Sequence, residues 1–574
     1  MAGRINRNLS LAGQIDGDVS RSALQHFYVR PSLPEKRLGW DDLIGAWRRW
    51  VVDAAAGKVS DRLHFYMHVP FCSHRCQYCI YYSVAPPDPV RVAAWVTRMR
   101  LELPFWGEIL DGMPLWSLYV GGGTPTVLEP AALQDVLGLI RSNFQIRPGG
   151  ERSFECNPLT VSREKALVFA DAGFNRASFG VQTISPAMLT GVNRGYQTLQ
   201  NIDDTFRILN EFRFRINVDL LQGLPGESAM AVKDSLAYVM GHGPAEITMY
   251  TLSPSTPAAV FSRAVPRSLG DVASELAGIA DDAGYSVSVF ETSLKFQRKL
   301  GRGLPDLVAA EADATGEITY YDDVFEKPAS LLAIGPTTRS QVFANLRYTF
   351  DLHQPDKPFN PVGECATGRI LTRREAQGQF VIRGLARNLG VNSDAFRQVF
   401  GESIEQAFNT ELSEAVDAGL IQYRDGSFYH TDGGPAERFA TEMLFVEDDK
   451  IADLEKQLKH QSVGSEGAES VQVIAGPVRF KVVLDEVAGI SRPAHTSGAF
   501  AFYVPTANDG CEDVAERAVV RLFVRLFDAV VTRDCPTTVS ELRDFLVLRG
   551  RALALSAPES SILHGAVMRV EAVQ

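Results

Sequence analysis

The stretch FYMHVPFCSHRCQYCIYYSV (residues 65–84) carries three cysteines, Cys72, Cys76 and Cys79, at the spacing C-x3-C-x2-C. They follow an apolar run that reads as a strand, which puts the three thiols on the loop where that strand ends. Structural zinc takes four ligands, commonly in paired C-x2-C units. No second pair exists here, so a fourth ligand would have to be His68, His74 or a remote residue. A redox pair of the thioredoxin kind would use Cys76 and Cys79 and leave Cys72 unexplained. Cysteine thiolates also hold the irons of iron–sulfur clusters, usually one per iron. Three thiolates on a [4Fe–4S] cube leave one iron open, and an open coordination position is what a catalytic metal site needs. The missing fourth ligand is then a small molecule and not a residue.

Outward from this loop, residues 63 to about 290 alternate strand-like runs with helix-like stretches. The runs are LHFYMHVPF, WSLYVGGG, RSFECNP, RASFGVQT, RINVDLLQGL and EITMYTLSP; between them lie segments such as PAALQDVLGLIRSNF, REKALVFADAG, NIDDTFRILNEF and MAVKDSLAYVMG. Such alternation implies parallel strands with crossover helices. Six units predict an α/β fold, a partial (β/α)6 barrel over 62–290, with ligands gathered at the C-terminal ends of the strands. The cysteines, GGGTPT, Glu155, Gln182 and Asp219 all fall at those ends.

The rest of the chain divides around this unit. Residues 1–61 form an N-terminal extension. Residues 291–365, which contain LLAIGPTTRSQVF, are expected to extend the barrel and cover the active site. Residues 366–445 read as helices followed by LIQYRDGSFYHT, where Asp-Gly between alternating runs marks a hairpin; together they predict a small winged-helix-like module. Residues 446–574 comprise a polar linker, LKHQSVGSEGAES, and an extra α+β domain. That domain carries strands in VRFKVVLDEVA and AFAFYVPT, an amphipathic helix in DVAERAVVRLFVRLFDAVV, and a last helix with Thr538 and Glu541 at capping-box spacing.

Composition narrows the partners. At 574 residues two to four domains are expected. A net charge of -12 gives no basic footprint, which argues against nucleic acid and assigns the winged-helix-like module a packing role. The start of the chain lacks the apolar run of a signal peptide, and no apolar stretch is long enough to span a membrane, so a cytoplasmic location is expected. Seven cysteines without an export signal are not a disulfide framework; Cys156, Cys365, Cys511 and Cys535 read as small buried hydrophobes.

The spacing C-x3-C-x2-C after a first strand resembles the signature of radical S-adenosylmethionine (SAM) enzymes. Within that superfamily the chain resembles the group of oxygen-independent coproporphyrinogen III oxidase through YMHVPFC, CQYC, YVGGGTPT, FECNP, FGVQT, VNRGY, VDLLQGLPGE and AIGPTTRS, in order from about 63 to 445. The resemblance implies a cluster on Cys72, Cys76 and Cys79 whose unique iron is chelated by SAM. It places SAM's amino group against Gly122, Gly123 and Thr124, where glycine lets backbone approach a ligand. It gives SAM contacts to Glu155, Gln182, Arg194 and Asp219. Arg194 suits a carboxylate through paired hydrogen bonds, and Asp219 suits ribose hydroxyls. Tyr66 and Tyr78 flank the cysteines; Tyr66 joins them in the catalytic set, and Tyr78 lies toward the adenine.

The reaction is narrowed by departures from the family pattern. Coproporphyrinogen oxidases of this group carry a further cysteine two residues after the third, where this chain has Ile80 and Tyr81, and the stretch near their second SAM site reads GPTTRS here, with Arg339. The haem-chaperone branch shows a histidine-containing stretch where this chain reads YYDDVFEKPAS. The remaining branch cleaves one SAM to a radical and takes a methyl or methylene carbon from a second, for C-methylation or cyclopropanation of an sp2 carbon in a small, natural-product-like substrate. That is the expected activity, with a coproporphyrinogen-oxidase-like oxidoreductase or a haem-binding chaperone as the alternative. A flavodoxin or ferredoxin-type electron donor is implied, and cobalamin is not indicated.

Overall fold

The computed structural model describes residues 2–14, 36–224, 226–252, 269–289, 293–299, 329–350, 358–360, 366–386, 390–431, 433–452, 455, 470–475, 478–484, 500–503 and 570–573. After a short strand β1 (Lys36–Leu38), six strands run parallel and adjacent in chain order: β2 (Leu63–Val69), β3 (Ser117–Gly122), β4 (Arg152–Cys156), β5 (Arg176–Gln182), β6 (Arg215–Gln222) and β7 (Glu246–Thr251). Their crossover helices open on capping side chains. Asp88, Ser162, Thr198 and Ser228 each accept a hydrogen bond from a backbone amide of the first turn, satisfying donors that have no partner inside the helix.

The sheet continues past both ends of this run. β7 is flanked by antiparallel β9 (Ser293–Arg298), which pairs with β8 (Tyr285–Val289). On the other side β10 (Ser330–Ile334) lies parallel to β2, with Leu331 opposite His64 and Ala333 opposite Tyr66. Antiparallel β11 (Arg339–Val342), β12 (Leu346–Phe350), β13 (Ala366–Ile370) and β1 then complete a thirteen-stranded sheet of linear order among the described residues. The parallel run therefore has a seventh member within 291–365. The antiparallel pair β8–β9 interrupts the strand–helix rhythm before β10, which is why the alternation in the sequence stops at six.

Successive residues face opposite sides of the sheet. Leu63, Phe65, Met67 and Val69 share one hydrophobic core with Trp47, Trp95 and Trp106 of helices Trp40–Ala55 and Pro89–Leu110. The alternate residues form a polar inner face. At the N-terminal end of the strands this face holds an ion cluster: Glu246 accepts from Arg176 (2.9 Å) and Arg215 (2.6 Å), with the Lys295 ammonium at 3.7 Å. Burial alone would push the Glu246 carboxyl up, but the three cations outweigh it and hold it down at about 2.

Residues 373–430 contain helices Arg373–Ala386, Ser393–Phe400, Ile404–Ala407 and Asn409–Asp417 with a small sheet of β14 (Val391–Asn392), β15 (Ile421–Arg424) and β16 (Ser427–His430). Asp425 and Gly426 join β15 to β16 with φ of 49° and 77°, the two positive values a type I′ hairpin turn requires. One compact unit comprises residues 1–24 and 36–447 and the other residues 25–35 and 448–574. In the second, Ser470–Ala475, Val478–Leu484, Phe500–Tyr503 and Val570–Val573 form an antiparallel sheet. The helices expected over 513–531 and from Thr538, and Cys365, Cys511 and Cys535, lie outside the described residues.

Removing the anion on which Arg176, Arg215 and Lys295 converge should be costly. Glu246→Gln is expected to lower the unfolding free energy by roughly 3–5 kcal/mol, the cost typical of breaking a buried ion pair. Urea unfolding of the full chain checks this, and a loss within ~0.5 kcal/mol, the range of an ordinary surface change, would contradict it.

Candidate functional site

The loop that follows β2 is tied at its base. Cys72 N donates to Val84 O (3.0 Å) and Val84 N to Pro70 O (2.8 Å), closing residues 70–84 into one unit. Inside it Cys79 N donates to Cys76 O (3.2 Å), a turn that gathers the last two cysteines. The end of β3 packs directly on this loop. Gly123 N donates to Val69 O (2.8 Å) and Thr124 N to Phe71 O (2.7 Å), and Thr124 Oγ1 lies 3.4 Å from Cys72 Sγ. A Cβ on Gly123 would come within 2.5 Å of Phe71 O, and one on Gly122, whose φ is +102°, within 2.4 Å of His68 Nδ1. These glycines are therefore demanded first by the approach of β3 to the cysteine loop. Their amides are spent inside the protein, which leaves carbonyl oxygen as what this turn can offer a ligand.

The other side of the loop is held by the segment after helix Pro186–Gly191. Gln77 N donates to Val192 O (3.1 Å), and Asn193 Nδ2 to Arg75 O (2.8 Å). Arg194, only 4% exposed, spends its guanidinium on four groups: Gln197 Oε1 (3.0 Å), the Tyr78 hydroxyl (3.0 Å), Cys76 Sγ (3.6 Å) and Gly180 O. Gly180 precedes a break in the β5–β6 register that ends at Gln182, itself at φ 66°. A non-glycine residue in the left-handed region is held there by its surroundings, and such positions cluster at functional sites. The bulge turns the Gln182 amide back over Gly180, beside the Arg194 guanidinium.

Two carboxylates complete the face. Glu155 accepts from the Tyr119 hydroxyl (2.9 Å) and from Gly122 N (3.0 Å). Asp219 accepts from Asn217 Nδ2 (2.8 Å), with the Ser178 hydroxyl at 3.4 Å. Burial and the neighbouring Asp219 charge push the Glu155 carboxyl up to about 7, and burial pushes Asp219 up to about 6. Two enclosed carboxyls that resist ionisation together suit a cationic or hydroxyl-rich ligand, which would relieve both. Tyr66 stands one step back: its hydroxyl lies 3.4 Å from His68 Nδ1 and its ring packs tilted on Tyr119, 5.9 Å between centroids.

The twelve residues singled out in the sequence thus meet along one end of β2–β6, and the structure adds Tyr119, Asn157, Tyr196 and Gln197. The Tyr196 hydroxyl lies 4.0 Å from Cys76 Sγ, accepts from Asn157 Nδ2 (3.2 Å), and its ring stacks on His74 at 4.5 Å. Both Asn157 and Tyr196 belong to the quoted stretches FECNP and VNRGY, so the signal was present in the sequence without a role attached. Cys156 alternates away from Glu155 into the hydrophobic core.

The donor set fits an iron–sulfur cluster. Cys72, Cys76 and Cys79 are all free thiols. Burial pushes the Cys72 thiol up and that of Cys79 up to about 12, the opposite of the lowered value a reactive redox dithiol needs. A bound cation reverses this and deprotonates a coordinating thiol outright. Among the described residues no three His, Cys, Asp or Glu side chains converge closely enough to hold a single metal ion.

The carboxyl values have a measurable consequence. A Glu155 at about 7 when folded, against 4.5 ordinarily, keeps a proton that the unfolded chain has already released. Stability should therefore fall as pH rises from about 4.5 to about 7 and level off above it. Glu155→Gln should flatten that fall and leave the variant relatively more stable at pH 8. An unchanged slope in pH-dependent urea unfolding would show that Glu155 is ionised throughout.

Residues 66–239 match the family model of the radical SAM superfamily. The chain is 32% identical over 189 residues to the haem chaperone HemW of Mycobacterium tuberculosis (strain ATCC 25618 / H37Rv), covering 33% of this chain and 48% of that protein, so this match spans about half of the relative's length. With the haem chaperone HemW of Lactococcus lactis subsp. lactis it is 26% identical over 373 residues, 64% of this chain and 93% of that one. With the oxygen-independent coproporphyrinogen III oxidase of Bradyrhizobium diazoefficiens it is 28% identical over 197 residues, 33% and 42% of the two chains. Among solved structures, coproporphyrinogen III oxidase (HemN) from Escherichia coli superposes with a TM-score of 0.56 at 21% identity, covering 75% of this chain and 99% of that one, which establishes a shared fold. Residues 66–239 thus carry a radical SAM domain, which employs a [4Fe–4S] cluster and SAM, and the chain is similar to the HemW haem chaperones and the oxygen-independent coproporphyrinogen III oxidases.

Proposed function

We propose that the protein binds a [4Fe–4S] cluster on Cys72, Cys76 and Cys79 and SAM beside it, and that its small-molecule ligand is a tetrapyrrole of the haem class. The observation that carries the first part is the gathering of three free, enclosed thiols with Glu155, Gln182, Arg194 and Asp219 at one end of the parallel strands. The second part is supported by the HemW relative matched over 93% of its length. Haem binding is favoured over porphyrinogen decarboxylation because Ile80 and Tyr81 stand where the oxidases carry a further cysteine. Methyl or methylene transfer from a second SAM, the activity expected from the sequence, gains no support from the relatives, which favour the alternative reading.

The cluster and SAM, when bound and supplied with an electron, provide a 5′-deoxyadenosyl radical and methionine. The residues of the chain do the rest by position. Arg194 donates to Cys76 Sγ, and the same guanidinium fixes Tyr78. The carbonyls of the Gly122–Thr124 turn and the Glu155 carboxylate present acceptors to SAM's ammonium group, and Asp219, oriented by Asn217 and Ser178, presents acceptors to ribose hydroxyls. Tyr66 and Tyr119, packed on each other on the inner face, would help keep water from a bound ligand. The electron comes from a donor of the flavodoxin or ferredoxin type.

Anaerobic reconstitution with iron and sulfide, followed by reductant and SAM, tests the first part. The native protein should show cluster absorbance and release 5′-deoxyadenosine. Alanine at Cys72, Cys76 or Cys79 should lose both, and iron retained by the triple variant would sink the assignment. Arg194→Lys should keep the cluster but weaken SAM binding by about tenfold or more, because a lysine cannot reproduce the forked contacts. For the second part, titration with haem should give a Soret band saturating near one equivalent. No haem uptake, with methylated or cyclopropanated product from a candidate substrate, would restore the methyl-transfer reading.

A further inference from the structure

A cavity of about 210 Å³ lies between the β11–β12 turn and helices Arg373–Ala386 and Ser393–Phe400. This is more than the ~150 Å³ that accommodates a benzene molecule in an apolar protein interior. Its lining mixes Phe343, Leu371 and Phe380 with Gln379, Arg347 and Arg383. It lies far from the cysteine loop. Arg347 pairs with Gln341, which sits opposite Leu331, and Leu331 sits opposite His64, five residues before the end of β2. Five strand residues span roughly 17 Å.

Arg347 is the unusual group. Its Nη1 is enclosed and has no hydrogen-bond partner among the described residues. The register puts Arg339, Arg347 and Arg369 on one face of the sheet, and Arg383 approaches from the facing helix. Arg369 has a carboxylate, Glu375, to neutralise it. Among the described residues Arg347 has no such partner, and burial followed by the charges of Arg383, Arg339 and Arg369 pushes its guanidinium well below the ordinary arginine range. A half-buried arginine with an enclosed, vacant donor, crowded by like charge and opening on a cavity, is costly unless an anion meets it.

We infer that this cavity is a binding site for a small organic anion, whose carboxylate or phosphate accepts from Arg347 and whose apolar body packs on Phe343, Leu371 and Phe380. The site is separate from the SAM and cluster residues and does not depend on the function proposed for them. The apolar wall excludes a bare inorganic ion as the preferred ligand, since such an ion would leave the aromatic lining unfilled. Because the walls come from the sheet on one side and the helical module on the other, an occupant would bridge the two.

Calorimetric titration of the reconstituted full chain with phenyl phosphate, benzoate and inorganic phosphate tests this. Phenyl phosphate or benzoate should bind at least about tenfold more tightly than inorganic phosphate, and which of the two binds better identifies the head group. Arg347→Met should abolish binding of both organic anions with 5′-deoxyadenosine release unchanged. Ala395→Leu, which narrows the cavity and leaves Arg347 in place, should weaken them as well. Binding that survives Arg347→Met, equal affinity for inorganic phosphate, or no binding of any probe by the native chain would each overturn the proposal. If Arg347→Met does not fold, loss of the organic anions in Ala395→Leu supports the proposal, and their retention there overturns it.

Discussion

A buried guanidinium must spend its donors or destabilise the fold, and the architecture of this site follows from how Arg194 spends them. It donates to a carbonyl of β5, to a side chain three residues along, to a phenol and to a thiol on the cysteine loop. Those four contacts fix the loop against the sheet and set the Tyr78 ring over the small apolar cluster of Val192, Leu221, Leu224 and Leu252. The register break before Gln182 serves the same end, since it exposes the Gly180 carbonyl to the guanidinium. The cysteine loop thus depends on the sheet strands as much as on its own turn.

The opposite flank is set by close approach. β3 ends in glycines because a side chain at Gly122 or Gly123 would run into His68 or the backbone of Phe71. In sequence this run looks like a ligand cradle. In three dimensions it is first a packing device, whose amides bind protein. Glu155 joins the two uses, accepting from Gly122 while facing Asp219.

Much of this was legible in the chain. Strand–helix rhythm marked β2 to β7, and the residues at their ends proved to be neighbours because parallel strands bring their C-terminal ends to one side. The Asp425–Gly426 turn was legible from its residue types alone. The seventh parallel strand was not, since β10 follows an antiparallel pair and finds β2 by long-range pairing that no local pattern encodes. Tyr119 and Tyr196 were passed over for a similar reason. An aromatic in a strand or after a turn has no local mark that separates a core ring from one whose hydroxyl meets Glu155 or Asn157. The reaction was the least legible, because it rests on a pocket assembled from many elements and not on a motif.

The strand β1 has a consequence beyond the site. Among the described residues it closes one side of the thirteen-stranded sheet with three, Lys36, Arg37 and Leu38, paired to β13. An edge this short offers little unpaired backbone for an incoming chain to extend. A second copy docking there in antiparallel fashion about Arg37 would also set that arginine against its own counterpart. Natural sheets use short, basic edges to discourage aggregation by strand addition. At the β1 side, the end of the ladder works as protection against self-assembly.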